Sequence, residues 1–144
     1  MTNKKLLAVL TTGITLTSMS IVPAAHAQYQ TAATCSLATV KGSYAIQLTG
    51  WYGTGANRVP YASAGTFIAD GNGNLSGTDT VVIDGGTPTP RTVTATYTVN
   101  PSTCTGTAVS QAAGTFNFFI LGNGKEILNI STTPGTTITG VSKR

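Results

Sequence analysis

The sequence predicts an all-β fold: a small eight-stranded antiparallel up-and-down barrel, with a two-sheet β-sandwich as the alternative. Three observations carry this. Threonine supplies 23 of the 117 residues from Gln28 to Arg144, and with valine, isoleucine and the aromatics it favours strands. Apolar residues in that region recur at a spacing of two, without the three-to-four spacing of an amphipathic helix. Clusters of glycine, asparagine and proline fall between the alternating runs, as turns do.

Ahead of the first run, Lys4 and Lys5 precede an apolar stretch from Leu6 to Val22, followed by Pro23 and Ala25-His26-Ala27. A basic start, a short apolar segment and an A-x-A site make residues 1–27 a signal peptide cleaved after Ala27. Threonines and serines interrupt the stretch, which is shorter than the roughly 20 apolar residues of a span, so no stable membrane anchor is expected. Cys35 lies well past the apolar run, which argues against a lipid anchor. The expectation is an exported protein, periplasmic or secreted. Residues 28–41 form an N-terminal segment carrying Cys35, and residues 42–144 form the barrel.

The first run, Ser43 to Thr49, alternates Tyr44, Ile46 and Leu48 with small or polar residues. The second, Tyr61 to Ala69, ends at Asp70-Gly71-Asn72-Gly73, residues that tolerate positive φ and signal a two-residue hairpin. The third spans Leu75 to Ile83. The fourth, Arg91 to Val99, sets Val93, Ala95, Tyr97 and Val99 on one face and Thr92, Thr94, Thr96 and Thr98 on the other, one face buried and one meeting water. Asn100 to Thr103 turns the chain into a fifth run, Cys104 to Ser110. The sixth, Thr115 to Leu121, holds Phe116, Phe118 and Phe119, all read as core. Gly122-Asn123-Gly124 leads into Lys125 to Ser131, and Thr133-Pro134-Gly135 into Thr136 to Val141. Gly65-Thr66-Phe67 before one glycine turn is echoed by Gly114-Thr115-Phe116 before another, which fits a meander of hairpins.

Export places Cys35 and Cys104, the only cysteines, in an oxidising compartment where they are expected to join. In a meander the geometry allows it: Cys35 precedes the first strand, Cys104 follows the fourth, and both fall at the same end of the barrel. A bridge closing about 70 residues contributes roughly 4 kcal/mol in the chain-entropy model. The same parity gathers the longer connections, residues 50–60 and 84–90, at the opposite end. Long loops on a rigid scaffold are where sites concentrate.

Composition excludes several functions. Without Lys4 and Lys5 the chain keeps six basic residues against four acidic ones, and the basic residues are scattered, so nucleic acid is not an expected partner. The only histidine, His26, leaves with the signal peptide, and no free cysteine is expected, so the Ser-His-Asp, Cys-His and zinc arrangements cannot be assembled. Asp70-x-Asn72-x-Asn74 resembles the start of a calcium loop, but Leu75 stands at the glycine position and Val81 at the final glutamate. No metal, cofactor or catalytic residue is assigned.

What remains is the loop-rich end, where Trp51, Tyr52, Arg58, Tyr61, Asp84 and Arg91 fall in or beside the long connections. Apolar surface with a few polar groups is the make-up of a ligand pocket. In the alternative arrangement Trp51 plugs the barrel mouth, and Arg58 or Arg91 pairs with Asp84 at the surface.

Lys41-Gly42-Ser43-Tyr44, Gly65-Thr66-Phe67, Asp70-Gly71-Asn72-Gly73, Tyr97-Thr98-Val99-Asn100 and Cys104-Thr105-Gly106-Thr107 together resemble small secreted bacterial proteins with barrels of the calycin or allene-oxide-cyclase type. These motifs specify turns rather than chemistry. Tyr44 stands where lipocalins carry tryptophan. Three functions follow as expectations: binding of a small apolar or amphipathic molecule at the open end, a structural or surface-adhesive role for the threonine-rich exterior, and a cofactor-free cyclase or isomerase. Both ligand readings require a cavity between Tyr44, Phe67, Tyr97 and Phe118. The sequence carries no signal for oligomeric state.

Overall fold

The computed structural model describes residues 34–144. The expected signal peptide, with its cleavage after Ala27, falls on residues outside the described ones. A short 3-10 turn, Leu37–Val40, leads into eight strands: β1 Gly42–Tyr52, β2 Val59–Ala69, β3 Asn74–Ile83, β4 Thr89–Asn100, β5 Thr105–Ser110, β6 Gly114–Leu121, β7 Glu126–Ser131 and β8 Thr136–Lys143. Each strand pairs antiparallel with the next, and β8 returns to β1, closing a single barrel. The two-sheet sandwich is thereby overturned.

Alternation decides what faces in. On β1, Tyr44 and Leu48 are buried while Ser43, Gln47 and Thr49 are exposed. On β4, Tyr97 is buried and Thr92, Thr94, Thr96 and Thr98 are exposed, the hydroxyl-bearing exterior that its period of two predicts. Glycines set the curvature at two inward positions. A Cβ on Gly65 would lie 2.5 Å from Asp79 Cα, and one on Gly106 would lie 2.2 Å from the Phe118 ring. Neither site leaves room for a side chain, so neighbouring strand and ring approach the bare backbone closely.

Two features depart from expectation. β1 and β2 run on to pair Trp51 with Pro60 and Tyr52 with Val59, so the long loop shrinks to residues 53–58. The turn after β2 has four residues, not two. Asp70 Oδ1 accepts hydrogen bonds from the backbone of Asn72 and Asn74, and Oδ2 accepts one from the Asn74 amide, so this carboxylate caps the turn.

The lower end is closed. Cys35 and Cys104 form the expected disulfide. Val40 reaches the barrel floor beside Tyr44, Tyr97, Phe118 and Ile127. The Tyr97 hydroxyl donates to Leu37 O and accepts from Gly71 N–H, tying the 3-10 turn to the sheet. Tyr44 donates to Gly124 O at 2.7 Å, and Arg144 lies over its ring and bonds its hydroxyl. At the upper end a second cluster forms from Leu48, Tyr61, Val81, Phe116 and Ile138.

The wall is uneven at β4. Its lower half pairs with β5, but β5 ends at Ser110 opposite Ala95, while β4 pairs with β3 back to Thr89. Residues 90–94 therefore have no strand on their β5 side. Pro90 falls in this stretch, where it contributes no N–H to an open edge.

Candidate functional site

Between the two apolar clusters lies a cavity of about 100 Å³. Ile46, Phe67, Leu75, Val93, Ala95 and Ala108 form its walls, Val40 its floor, and Ala113 and Gly114 stand at its upper side. The cavity borders the stretch of wall where β4 lacks a strand neighbour, and the gap between β4 and the β5–β6 turn forms a window beside it. Phe67, Tyr97 and Phe118 line it as expected; Tyr44 does not, being stacked at 5.0 Å against Phe67.

Polar groups enter at three places. Asp79 is an inward residue of β3, its side chain only 8% exposed. The Arg91 guanidinium grips it with Nε to Oδ1 at 2.7 Å and Nη2 to Oδ2 at 2.8 Å, and Ser63 Oγ donates to Oδ2. Arg91 reaches further, with Nη2 donating to the Tyr61 hydroxyl and Nη1 to Ala112 O, both at 2.9 Å. One guanidinium thus ties β2, β3 and β4 to the β5–β6 turn and bars the window from its upper side. Four of its five N–H groups are committed.

Burial pushes the Asp79 carboxyl up, but hydrogen bonds from Arg91 and Ser63, together with the Arg91 charge, outweigh burial and hold it below the usual carboxylate range. The hydrogen bond to Asp79 is the main reason that Arg91 holds its proton more tightly than usual. The pair is therefore ionised at neutral pH.

Ser110 and Asn129 complete the polar lining. Ser110 Oγ accepts long bonds from Ala112 and Ala113 N–H at 3.3 Å, which leaves its hydroxyl proton free to donate. Asn129 Nδ2 donates to Ser142 Oγ and Ile127 O, and its Oδ1 has no donor among the described residues. Beside the Asp79 carboxylate, which Arg91 and Ser63 hold, the cavity thus offers one free hydrogen-bond donor on Ser110 and one free acceptor on Asn129.

The structure does not bring the six sequence-selected residues together. Tyr61 and Arg91 join at the window. Trp51 and Tyr52 belong to β1 rather than to a loop, and both are exposed; Trp51 faces outward with Arg58 over its ring at 5.2 Å, so it does not plug the mouth. Asp84 adopts φ 56° ahead of Gly85 at φ 66°, the geometry of a tight hairpin turn, and its backbone N–H bonds Pro60 O. Neither Arg91 nor Arg58 pairs with it. Arg91 instead turns inward to Asp79, a residue that loop-based reasoning misses. The signal was legible nonetheless: Asp79 is a carboxylate in phase with Leu75, Gly77 and Val81 on the apolar side of an alternating run. No family model, no curated protein and no solved structure matches the chain.

Proposed function

We propose that this protein is exported and that its barrel binds a small neutral molecule, apolar or carrying a single hydroxyl, in the interior cavity. The cavity itself is the observation that carries the reading. A cavity of about 100 Å³, walled mainly by apolar side chains with a few polar groups among them, is the make-up of a small-molecule site. By comparison with apolar cavities of roughly 150 Å³ that take up benzene, the space suits a six-membered ring or a short alkyl chain. The ligand is neutral because Asp79 and Arg91 already neutralise each other and only one guanidinium N–H is uncommitted. Ser110 and Asn129 offer a hydroxyl both an acceptor and a donor. The disulfide supports export, since such bridges persist in oxidising compartments.

The cyclase reading has Asp79 in the cavity in its favour. Against it, a carboxylate held by three donors and below its ordinary pKa is a weak base, and as an anion it has no proton to give. Binding without covalent chemistry accounts for the same residues more simply.

Titration with benzyl alcohol and with 1-hexanol, followed by methyl NMR of Ala95 and Ala108, tests the proposal. Saturable shifts are expected, and Ala95→Leu, which fills the space, should weaken binding at least tenfold while retaining the fold. Native mass spectrometry of protein isolated from an exporting host should show a bound small molecule. A clean apo mass together with no saturable shift would reject the proposal.

A further inference from the structure

Both ends of the barrel are plugged by packed side chains. At the floor Val40, Tyr44, Tyr97, Phe118 and Ile127 are buried together with Cys35 of the disulfide. At the top Leu48, Tyr61, Val81, Phe116 and Ile138 are all buried. Phe116 and Phe118 thus serve opposite plugs, while Phe119, expected in the core, faces outward at 49% exposed and belongs to neither. A molecule entering by either end must displace several buried side chains at once, against close packing that yields little. Around the circumference the strand ladder is continuous except beside residues 90–94 of β4, which lack a strand on their β5 side.

Cavity-lining residues stand on both sides of this gap: Asp79 and Val93 on the β3–β4 side, and Ser110, Ala113 and Gly114 on the β5–β6 side. The turn itself brings little to close it. Gln111 lies on the outer surface beside Thr94 and Val109, and Ala112, Ala113 and Gly114 follow. The filler is Arg91, whose side chain is 22% exposed. Its guanidinium joins the two sides, with Nε and Nη2 on Asp79 and Nη1 on Ala112 O at 2.9 Å. The two holds are unequal. Asp79 takes a bidentate, charge-assisted pair of bonds, the stronger kind, whereas the exposed Ala112 is held by one bond to a neutral carbonyl.

We infer that this gap is the entrance to the cavity and that Arg91 is its latch. Breaking the bond from Nη1 to Ala112 O, while Asp79 keeps its grip, lets residues 111–113 swing away from β4 and admits the ligand. This rests on the barrel binding a small molecule in its cavity. The turn is built to move as a short piece. Beside Arg91 it is held by the 3.3 Å bonds from Ala112 and Ala113 N–H to Ser110 Oγ. Just beyond it, Thr115 N–H donates to Thr133 Oγ1 at 2.9 Å, which anchors β6. Gly114, at φ 83°, stands between the loosely held part and the anchored one, where a hinge must absorb the change in backbone angles. Opening here breaks one hydrogen bond and leaves both plugs packed.

A latch lowers or raises a barrier, so it changes entry and exit together. Arg91→Lys tests this, because it keeps a cation against Asp79 but gives up the planar fork that spans both sides of the gap. Methyl relaxation dispersion of Ala95 and Ala108, in protein half-saturated with benzyl alcohol, reads the exchange rates. Arg91→Lys is expected to raise association and dissociation rates together, each about tenfold, the worth of one charge-assisted hydrogen bond. Ile138→Val, which loosens the upper plug, should leave both rates unchanged. Without ligand, amide hydrogen exchange at residues 112 and 113 should quicken in Arg91→Lys while β1 keeps its protection. Unchanged rates in Arg91→Lys, faster dissociation without faster association, or faster exchange in Ile138→Val would each overturn the latch while the saturable shifts of the original protein, and with them the binding itself, stand. No saturable shift in the original protein would reject both.

Discussion

Asp79 bears the largest burden of any single side chain, because its charge is almost wholly removed from water and depends on its partners. In Asp79→Asn, Arg91 keeps a full charge facing a neutral amide. Removing one partner of a nearly buried pair costs several kcal/mol in a dry interior, and the partial exposure of Arg91 reduces this to about 2 kcal/mol at pH 7. The pH dependence follows from the direction of the shift. The folded carboxyl releases its proton at lower pH than the unfolded one does, so between those two values the unfolded chain binds more protons and acid favours unfolding. The contribution is intact above pH ~4 and disappears as pH falls through the folded value. Thermal unfolding from pH 7 to pH 2 should show the original melting well above the variant at neutral pH and the two converging in acid. A gap that stays constant with pH would contradict the ion pair. At this scale the sequence is half legible, since Tyr61 and Arg91 stand out in it but their partner Asp79 lies inside a strand and not in a loop.

Elements were more readable than sites, and the reason is periodicity. The eight runs emerged within a few residues of their observed ends because alternation and glycine turns are local properties. What alternation could not assign was phase where both phases are apolar. Along Phe116 to Leu121 either phase could face inward, and the pairing of Phe118 across Gly106 decides it. Nor could it show that β5 stops short of the upper half of β4, because strand length relative to a neighbour is a property of the assembled sheet. The 3-10 turn at Leu37–Val40 was likewise invisible, being too short for any period, yet it closes the floor through Tyr97. Tyr97→Phe keeps the ring and removes the hydroxyl, leaving Leu37 O and Gly71 N–H without it. A cost of about 1–2 kcal/mol is expected. Amide hydrogen exchange localises the effect: protection should fall in residues 35–40 and 71–73 before it falls in β4. Uniform loss across the barrel would show that the hydroxyl is not a local tie.

For the molecule as a whole, topology made one long-range contact deducible from sequence. In a meander every two strands return the chain to the same end, so four strands between Cys35 and Cys104 place both at the bottom whatever the details of packing. No comparable rule locates the cavity, which arises where two apolar clusters at opposite ends of the barrel fail to meet. The bridge spans 69 positions and joins the floor segment to the β4–β5 turn, outside the strand ladder itself. The ladder should therefore form without it, at a disadvantage set chiefly by the freedom restored to the unfolded chain. The paired substitution Cys35→Ser and Cys104→Ser is expected to cost about 4 kcal/mol, or roughly 15 °C in melting temperature for a domain of this size. Urea unfolding of the oxidised protein and the double variant measures it, with the cost appearing in the midpoint. A difference below about 1 kcal/mol would mean that the floor segment stays docked through Val40 and the Tyr97 hydroxyl alone, and that the unfolded chain gains little from its release.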